Sequence, residues 1–408
     1  MDAKLRVLQI NSSNFGSTGG IMLNISSVAL ENGYSSYVAY ANSRSNKKKA
    51  VANNILIGNI IERNVHIIFA GLTGYNGCFS HLGTALFLHR IHKIRPDLIH
   101  LHNLHNCYIN LPMLFNYIKK NNIPIVWTLH DCWSFTGQCP HFTMLNCEKW
   151  KTGCSKCPQY RKYPRAFVDR TKTMWRLKRK WFSGIENMVI TTPSTWLADL
   201  VKQSYLKNYP VKVINNGIDL SVFKPTYSDF RIRHGLNGKF IVLGVAFGWG
   251  QRKGLDVFVE MSRRLDNQKY KIVLVGTDDN VDRQLPDHIL SIHRTSSQDE
   301  LAQIYTSADI FLNPTREDNY PTVNMEAIAC GTPVLTFQTG GSPEIIDDTC
   351  GSVFIEDDID VLEKEILRIA KESPFSEESC LARARLFDKC VKFSEYVDLY
   401  RQLMKVGE

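Results

Sequence analysis

Two carboxylates late in the chain, on either side of a run of turn residues, have the types and spacing to hold a sugar diphosphate. Asp318-Asn319-Tyr320-Pro321-Thr322 leads into Val323-Asn324-Met325-Glu326-Ala327, so Asp318 and Glu326 stand eight residues apart. The apolar run 310–312, closed by Asn313-Pro314-Thr315, reads as a strand before them. The segment after Pro321 reads as a helix, with Thr322 as candidate N-cap and Gly331 as its stop. A strand-to-helix turn aims backbone N–H groups and a positive helix end at its ligand, which suits a phosphate. Glu326 lies about one turn further in, roughly 6 Å along the axis at about 1.5 Å per residue. A diphosphate on this turn would place a ribose near Glu326 and a second sugar near Asp318. Taken alone, the segment serves equally well as an ordinary connection with surface acids, and other motifs must decide.

Three stretches bear on that choice. Gly16-Ser17-Thr18-Gly19-Gly20 follows the first strand, where glycines let backbone approach a ligand. Its spacing is not the dinucleotide fingerprint, and no acid lies about twenty residues on. Trp249-Gly250-Gln251-Arg252-Lys253-Gly254-Leu255 offers a compact ammonium for a phosphate oxygen. Thr128-Leu129-His130-Asp131 ends a strand, where a histidine in an open sheet sits at the ligand-binding edge. His100, His102 and His105 suggest a metal cluster at first sight. Period two puts His100 and His102 on one strand face, but no acid or cysteine at ligand spacing accompanies them, so satisfied polar groups are expected.

Taken in order, these motifs resemble the GT4 family of retaining glycosyltransferases. The family's acid-x7-acid signature usually has Glu at both ends; here Asp318 stands first, and Glu317 is nine residues from Glu326. Lys253-Gly254 is similar to the family's Lys-Gly, whose lysine holds the donor diphosphate. The arginine often found a few residues earlier is replaced by Phe247-Gly248, which leaves Arg252 as second cation. Thr192-Pro193-Ser194-Thr195-Trp196, Asn215-Asn216-Gly217-Ile218-Asp219 and Thr339-Gly340-Gly341-Ser342-Pro343-Glu344 resemble further family landmarks. The resemblance implies an α/β GT-B fold, two doubly wound Rossmann-like domains facing across a cleft. It implies transfer, with retention, from a nucleotide diphosphate-sugar to a saccharide or lipid-linked saccharide in cell-surface polysaccharide synthesis. Gly19, Gly20, Arg252, Lys253, Asn319, Tyr320, Pro321, Thr322 and Glu326 would bind the donor, with backbone near Thr295 beside the base. His130, Lys253, Asp318 and Glu326 would surround the reacting centre, and His102 and Asn103 the acceptor. Protein cations and a helix end would take the departing charge, so no metal cofactor is required. A nucleotide-sugar binding protein without catalysis is the main rival reading. A nucleic-acid binder is another, but no recognised nucleic-acid module is present.

These residues need elements to position them. Strand-like runs at 5–11, 36–41, 97–103, 123–131, 188–194 and 211–217, then 240–247, 271–276, 290–295, 309–314, 333–337 and 352–355, alternate with helical patterns, which argues for parallel sheets. The expected domains are 1–217 and 218–386, with a helix at 387–408 that the resemblance sends back to the first domain. The 408 residues, 44% hydrophobic and 22% charged, fit two soluble domains. The first strand begins almost at once and no run spans a bilayer, so a cytoplasmic protein is expected.

The net charge of +9 is concentrated: 161–180 holds nine Lys or Arg against Asp169 alone. From about Thr171 this segment, 161–182, can form a helix with Met174, Leu177 and Trp181 on one stripe. That suits either an anionic membrane surface or a core helix with a solvated basic face. In the insertion 132–164, Cys139, Cys147, Cys154 and Cys157 are spaced C-x7-C-x6-C-x2-C, open to a structural zinc or to free thiols. Asn46-Lys47-Lys48-Lys49 reads as an exposed loop.

Overall fold

Apolar runs bounded by turn residues and alternating with helices favour parallel pairing, which requires such crossovers. The computed structural model, which describes residues 4–46, 53–355 and 357–405, contains two such sheets. The chain divides into two compact units, residues 1–215 with 390–408, and residues 216–389.

The first unit is built on β1 (Arg6–Asn11), β2 (Ser35–Ala41), β3 (Asn54–Ile57), β4 (Leu98–Leu101), β5 (Ile125–Thr128), β6 (Met188–Thr192) and β7 (Val211–Val213), in the order β3-β2-β1-β4-β5-β6-β7. Its helices are α1 (Gly16–Glu31), α2 (Ile60–Thr73), α3 (His81–Ile94), α4 (Leu111–Asn121), α5 (Thr171–Phe182) and α6 (Thr195–Gln203). The second unit has β8 (Phe240–Val245), β9 (Tyr270–Val275), β10 (Leu290–Ile292), β11 (Ile310–Asn313), β12 (Val334–Phe337) and β13 (Gly351–Phe354), in the order β10-β9-β8-β11-β12-β13. Here the helices are α7 (Phe230–Arg233), α8 (Leu255–Arg264), α9 (Asp279–Asp282), α10 (Gln298–Ser307), α11 (Thr322–Ala329), α12 (Ile359–Glu372) and α13 (Glu377–Ala384). Both sheets are wholly parallel and their central strands are buried along their length, as helices on both faces require. Strand order reverses between β1 and β4 in one sheet and between β8 and β11 in the other. Ligands of doubly wound sheets bind at such points, beyond the carboxyl ends of the strands.

A last helix, α14 (Lys389–Lys405), belongs from Cys390 onward to the first unit. Tyr400 Oη lies 2.6 Å from His100 Nδ1, and Thr128 Oγ1 and Tyr396 Oη are 3.3 Å apart. His100, whose Nε2 is 2.7 Å from Thr128 Oγ1, is thus a satisfied histidine under this helix.

Several local expectations change. β3 is a thirteenth strand: four residues at a sheet edge are too short to show period two. Strands expected to reach 103, 131 and 295 stop at Leu101, Thr128 and Ile292, so Asn103, His130 and Thr295 lie in loops. The lysine loop at 47–49 lies outside the described residues. Asn46 itself is buried, its Nδ2 donating to the Ser12 and Ala41 carbonyls at 3.1 and 2.7 Å.

Helix α5 also turns a different face inward. Met174, Trp175, Lys178 and Phe182 are buried, whereas Leu177 and Trp181 are half-buried. Lys178 is therefore no surface cation. Its ammonium donates to the carbonyls of Trp133 and Thr136 and lies 3.6 Å from the Trp133 ring centre, and burial lowers its pKa to about 7. Lys178→Met should lower unfolding free energy by about 1–3 kcal/mol, because two buried carbonyls lose their donor. Urea denaturation checks this, and an unchanged midpoint would contradict it.

Candidate active site

The second switch point assembles the groups that sequence singled out. Loop 246–254 leaves β8 and loop 314–321 leaves β11, the two strands that flank the reversal. Across it Lys253 Nζ lies 2.5 Å from Asp318 Oδ2, while Asp318 Oδ1 accepts from the Asn319 N–H at 2.9 Å. Arg252 Nη1 donates to the Glu317 carbonyl at 3.1 Å. The carboxylate beside Lys253 is thus that of Asp318, and Glu317 is buried.

One residue that holds these loops together was not singled out from sequence. Arg316 is buried and bonds both carboxylate oxygens of Asp256 at 2.8 Å, Asp357 at 2.5 Å and the Gln251 carbonyl at 2.6 Å. Its backbone N–H donates to the Arg252 carbonyl at 2.9 Å, which clamps loop 251–253 to the end of β11. Thr315 Oγ1 reaches the same carbonyl at 3.3 Å. Arg316 pairs with acids 60 and 41 residues away in sequence, which no local pattern signals.

The turn after Asp318 is built for close approach. Gly340 has φ +56°, and a Cβ there would sit 1.9 Å from the Asp318 carbonyl oxygen. The Gly341 N–H donates to the Asn319 carbonyl at 2.8 Å, so the late glycine pair buttresses the acidic turn. Helix α11 starts at Thr322 with Pro321 in the cap position and no side-chain cap, so Thr322 is not the N-cap. Thr322 instead bonds Glu326, and Tyr305 Oη donates to Glu326 Oε2 at 3.2 Å. Burial outweighs both bonds and raises the Glu326 pKa to about 7. Nearby, the buried Asn324 Nδ2, Thr339 Oγ1 and Ser342 Oγ have no protein partner. The side chains of Tyr320 and Pro321 are buried, Tyr320 against Phe387, which leaves backbone as their means of touching a ligand. Thr295 is half-buried, three residues past the end of β10.

In the first unit the corresponding edge is lined by histidines. His102 Nδ1 and His130 Nε2 are 3.1 Å apart with their rings stacked at 5.4 Å, and His102 Nε2 meets Gln9 Oε1 at 3.1 Å. Burial lowers the His130 pKa to about 4, so the ring is neutral at about pH 7. The Asn103 N–H donates to Asn11 Oδ1 at 3.3 Å. His105 does have an acid: Nε2 is 3.0 Å from Asp131 Oδ2 and Nδ1 is 2.8 Å from Tyr163 Oη. That chain of three was missed because Asp131 and Tyr163 are 26 and 58 residues away. Gly19 and Gly20 are not in a loop: α1 already begins at Gly16. A Cβ on Gly19 would lie 2.7 Å from the Asn14 carbonyl carbon, so close approach to backbone explains that glycine.

The cysteine insertion does not gather its sulfurs as a metal site. Tetrahedral zinc with bonds of about 2.3 Å needs sulfurs about 3.8 Å apart. No three of Cys139, Cys147, Cys154 and Cys157 come within 4.8 Å of one another. Instead the free thiols of Cys139 and Cys157 are hydrogen-bond partners, and Cys154 Sγ accepts from the Gly137 N–H at 3.1 Å.

The sequence profile described as Glycosyltransferase Family 4 matches residues 22–222, and that of Glycosyl transferases group 1 matches 239–372. A protein named as a putative colanic acid biosynthesis glycosyl transferase, WcaC of Escherichia coli, is 25% identical over 406 residues, covering 95% of this chain and 97% of its own. A glycogen synthase of Streptococcus sanguinis is 25% identical over 70% of this chain and 67% of its own. Among solved structures, sucrose-phosphate synthase from Thermosynechococcus elongatus has a TM-score of 0.74 at 17% identity, covering 99% of this chain and 100% of its own. Anabaena HepE in complex with UDP has a TM-score of 0.69 at 14% identity, covering 98% and 100%. Fold and sequence together make this chain a glycosyltransferase of GT-B architecture. Within that class it is of the family 4 type, whose profile runs through most of the first unit.

Proposed function

We propose that the chain transfers a sugar, with retention at the anomeric carbon, from a nucleotide diphosphate-sugar to a saccharide or a lipid-linked saccharide in cell-surface polysaccharide synthesis. The observation that carries this reading is the Lys253–Asp318 pair at the β8/β11 switch point, with Glu326 one turn into α11. Lys253, Arg252 and the uncapped start of α11 would receive the charge that develops on the departing diphosphate. Glu326 would accept the ribose hydroxyls. Asp318 and His130 would orient the donor sugar, and His102 and Asn103 would face the acceptor. The unpartnered Asn324, Thr339 and Ser342 atoms offer further bonds to a ligand at the turn. With these groups in place no step needs a divalent cation.

HepE has been solved with UDP, with UDP-glucose, and with UDP and glucose, and WcaC is named for colanic acid biosynthesis. These relatives support a nucleotide-sugar donor and a polysaccharide product here. The test is a screen of UDP- and GDP-sugars for thermal stabilisation, followed by NMR of the product made from the stabilising donor. An α-linked donor should yield an α-linked product. A β-linkage would overturn retention. Stabilisation without transfer over a panel of acceptors would favour the binding-protein reading that the shorter acid at position 318 raises.

A further inference from the structure

Helix α2 is amphipathic the wrong way round for a helix covered only by its own domain. Its inward face carries His66, Ala70 and Gly71. Three of its polar residues are engaged by the protein: His66 Nδ1 is 2.8 Å from Ser80 Oγ, Glu62 accepts from the Gly83 N–H at 3.0 Å, and Arg63 Nη2 donates to Asn106 Oδ1 at 3.3 Å. Its large apolar side chains point out: Ile61 is 77% exposed, Ile68 57%, Phe69 48% and Leu72 55%, with Val65 also exposed. Ile61, Val65, Ile68 and Leu72 follow at i, i+4, i+7 and i+11, one continuous stripe that ordinarily faces a core. Scattered exposed apolar residues need no explanation, but a contiguous set does.

The stripe has apolar and basic company. Leu82 and Leu86 of α3 are 64% and 59% exposed. The segment before α5 lies along the end of α2: the Phe167 N–H donates to the Gly71 carbonyl at 2.7 Å, and Phe167 and Val168 are themselves exposed. Arg165 stacks on Phe167 at 5.0 Å and Arg170 on Tyr75 at 5.8 Å. Residues 60–95 contain Arg63, Arg90, Lys93 and Arg95 against the single acid Glu62, and 161–170 contain Arg161, Lys162, Arg165 and Arg170 against the single acid Asp169. Both acids are held by backbone N–H groups, Glu62 by Gly83 and Asp169 by Cys157. The exposed apolar face is thus accompanied by exposed cations, Arg165 and Arg170 near its end and Arg90 and Lys93 on α3.

We infer that the outer face of α2, with Leu82, Leu86 and Phe167, docks on a lipid bilayer bearing anionic headgroups. Apolar side chains enter the acyl boundary while the accompanying arginines and lysines meet lipid phosphates. A partner protein would need complementary acids, but a second copy of this chain would set the same cations against each other, and neutral lipid would leave them unused. The surface differs from the one read from sequence, because the inward face of α5 is core. This inference deepens the proposed reading, on which its link to a lipid-borne acceptor rests; binding to the bilayer does not depend on that link.

The experiment is flotation of the full chain with phosphatidylglycerol-containing vesicles and with phosphatidylcholine vesicles. The parent should bind the anionic vesicles and lose binding as salt rises. Ile68→Glu with Phe69→Glu should cut partitioning at least about tenfold, since each buried side chain of this size contributes that order. Arg165→Gln with Arg170→Gln should weaken binding to anionic vesicles and flatten its salt dependence. Both variants should keep the parent's melting temperature and its stabilisation by donor. Failure of the parent to bind anionic vesicles, or parent-like partitioning of Ile68→Glu/Phe69→Glu, overturns the inference. So does a parent dimer in sedimentation that this variant converts to monomer, which would assign the face to a second copy. Loss of donor stabilisation in all proteins with vesicle binding intact would strike the glycosyltransfer reading and leave the docking surface standing.

Discussion

Lys253→Ala should lower kcat/KM by about 10²–10³-fold, an order typical of removing one preorganised donor to a developing anion. The ammonium is held 2.5 Å from Asp318. That carboxylate fixes its position and offsets part of its charge until a diphosphate arrives. Removing the ammonium does two things: the diphosphate loses its cation, and Asp318 faces it uncompensated. The second effect makes the pair non-additive. Lys253→Ala with Asp318→Ala should fall by less than the product of the two single losses, because the double variant no longer sets a carboxylate against the phosphates. Lys253→Arg should retain partial activity, and Asp318→Glu should be tolerated. Steady-state kinetics with circular dichroism as a fold check decides. If Glu317→Ala abolishes transfer while Asp318→Ala does not, the acid at the reacting centre is the other one of the two.

What could be read from sequence divides along physical lines. Hydrophobic period, turn residues and alternation argue for parallel sheets, because parallel neighbours need the crossovers that the helices supply. Twelve of the thirteen strands among the described residues follow from that logic, and β3 escapes it as a four-residue edge. The placement of Lys253, Asp318 and Glu326 at one turn was legible because loop and helix register are local: residues a fixed number apart around one turn fall in known places. Long-range partners were not. Arg316 clamping loop 251–253, Tyr305 on Glu326, and Tyr163 on His105 all arise from contacts that only the folded chain makes. Helices α5 and α2 share one lesson. In α5, Lys178 is buried because two carbonyls and the Trp133 ring await it, so charge alone misassigned its face. In α2, the apolar stripe is outside because the interior at that point bonds His66 and Glu62. Period reveals that a helix has two faces; it does not reveal which one meets water.

Glu326→Gln should lose most transfer and yet stabilise the donor-free protein above neutral pH. The carboxylate offers two acceptor oxygens to ribose hydroxyls and the amide only one, so a hydroxyl is left unpaired at about 1–3 kcal/mol, roughly 5- to 150-fold in donor affinity. The stability effect has its own sign. Burial raises the folded pKa of Glu326 from the ordinary carboxylate value to about 7. A group raised in this way contributes its full stability below its unfolded pKa and loses it as pH rises through the folded one. Above about pH 7 the parent thus folds with a desolvated charge that Gln lacks. The Gln variant should be more stable there by about 1–3 kcal/mol, and the two should converge below about pH 4.5, where both side chains are neutral. Donor binding reverses the burden, because ribose hydroxyls favour the ionised form. Donor KM for the parent should therefore rise as pH falls through about 7, and for the variant it should stay flat. Urea melts and donor titrations from about pH 4 to about pH 8.5 test both halves. Transfer within about twofold of the parent would remove Glu326 from the ribose, and equal stability of the two proteins at about pH 8 would show that its charge is not buried without a ligand.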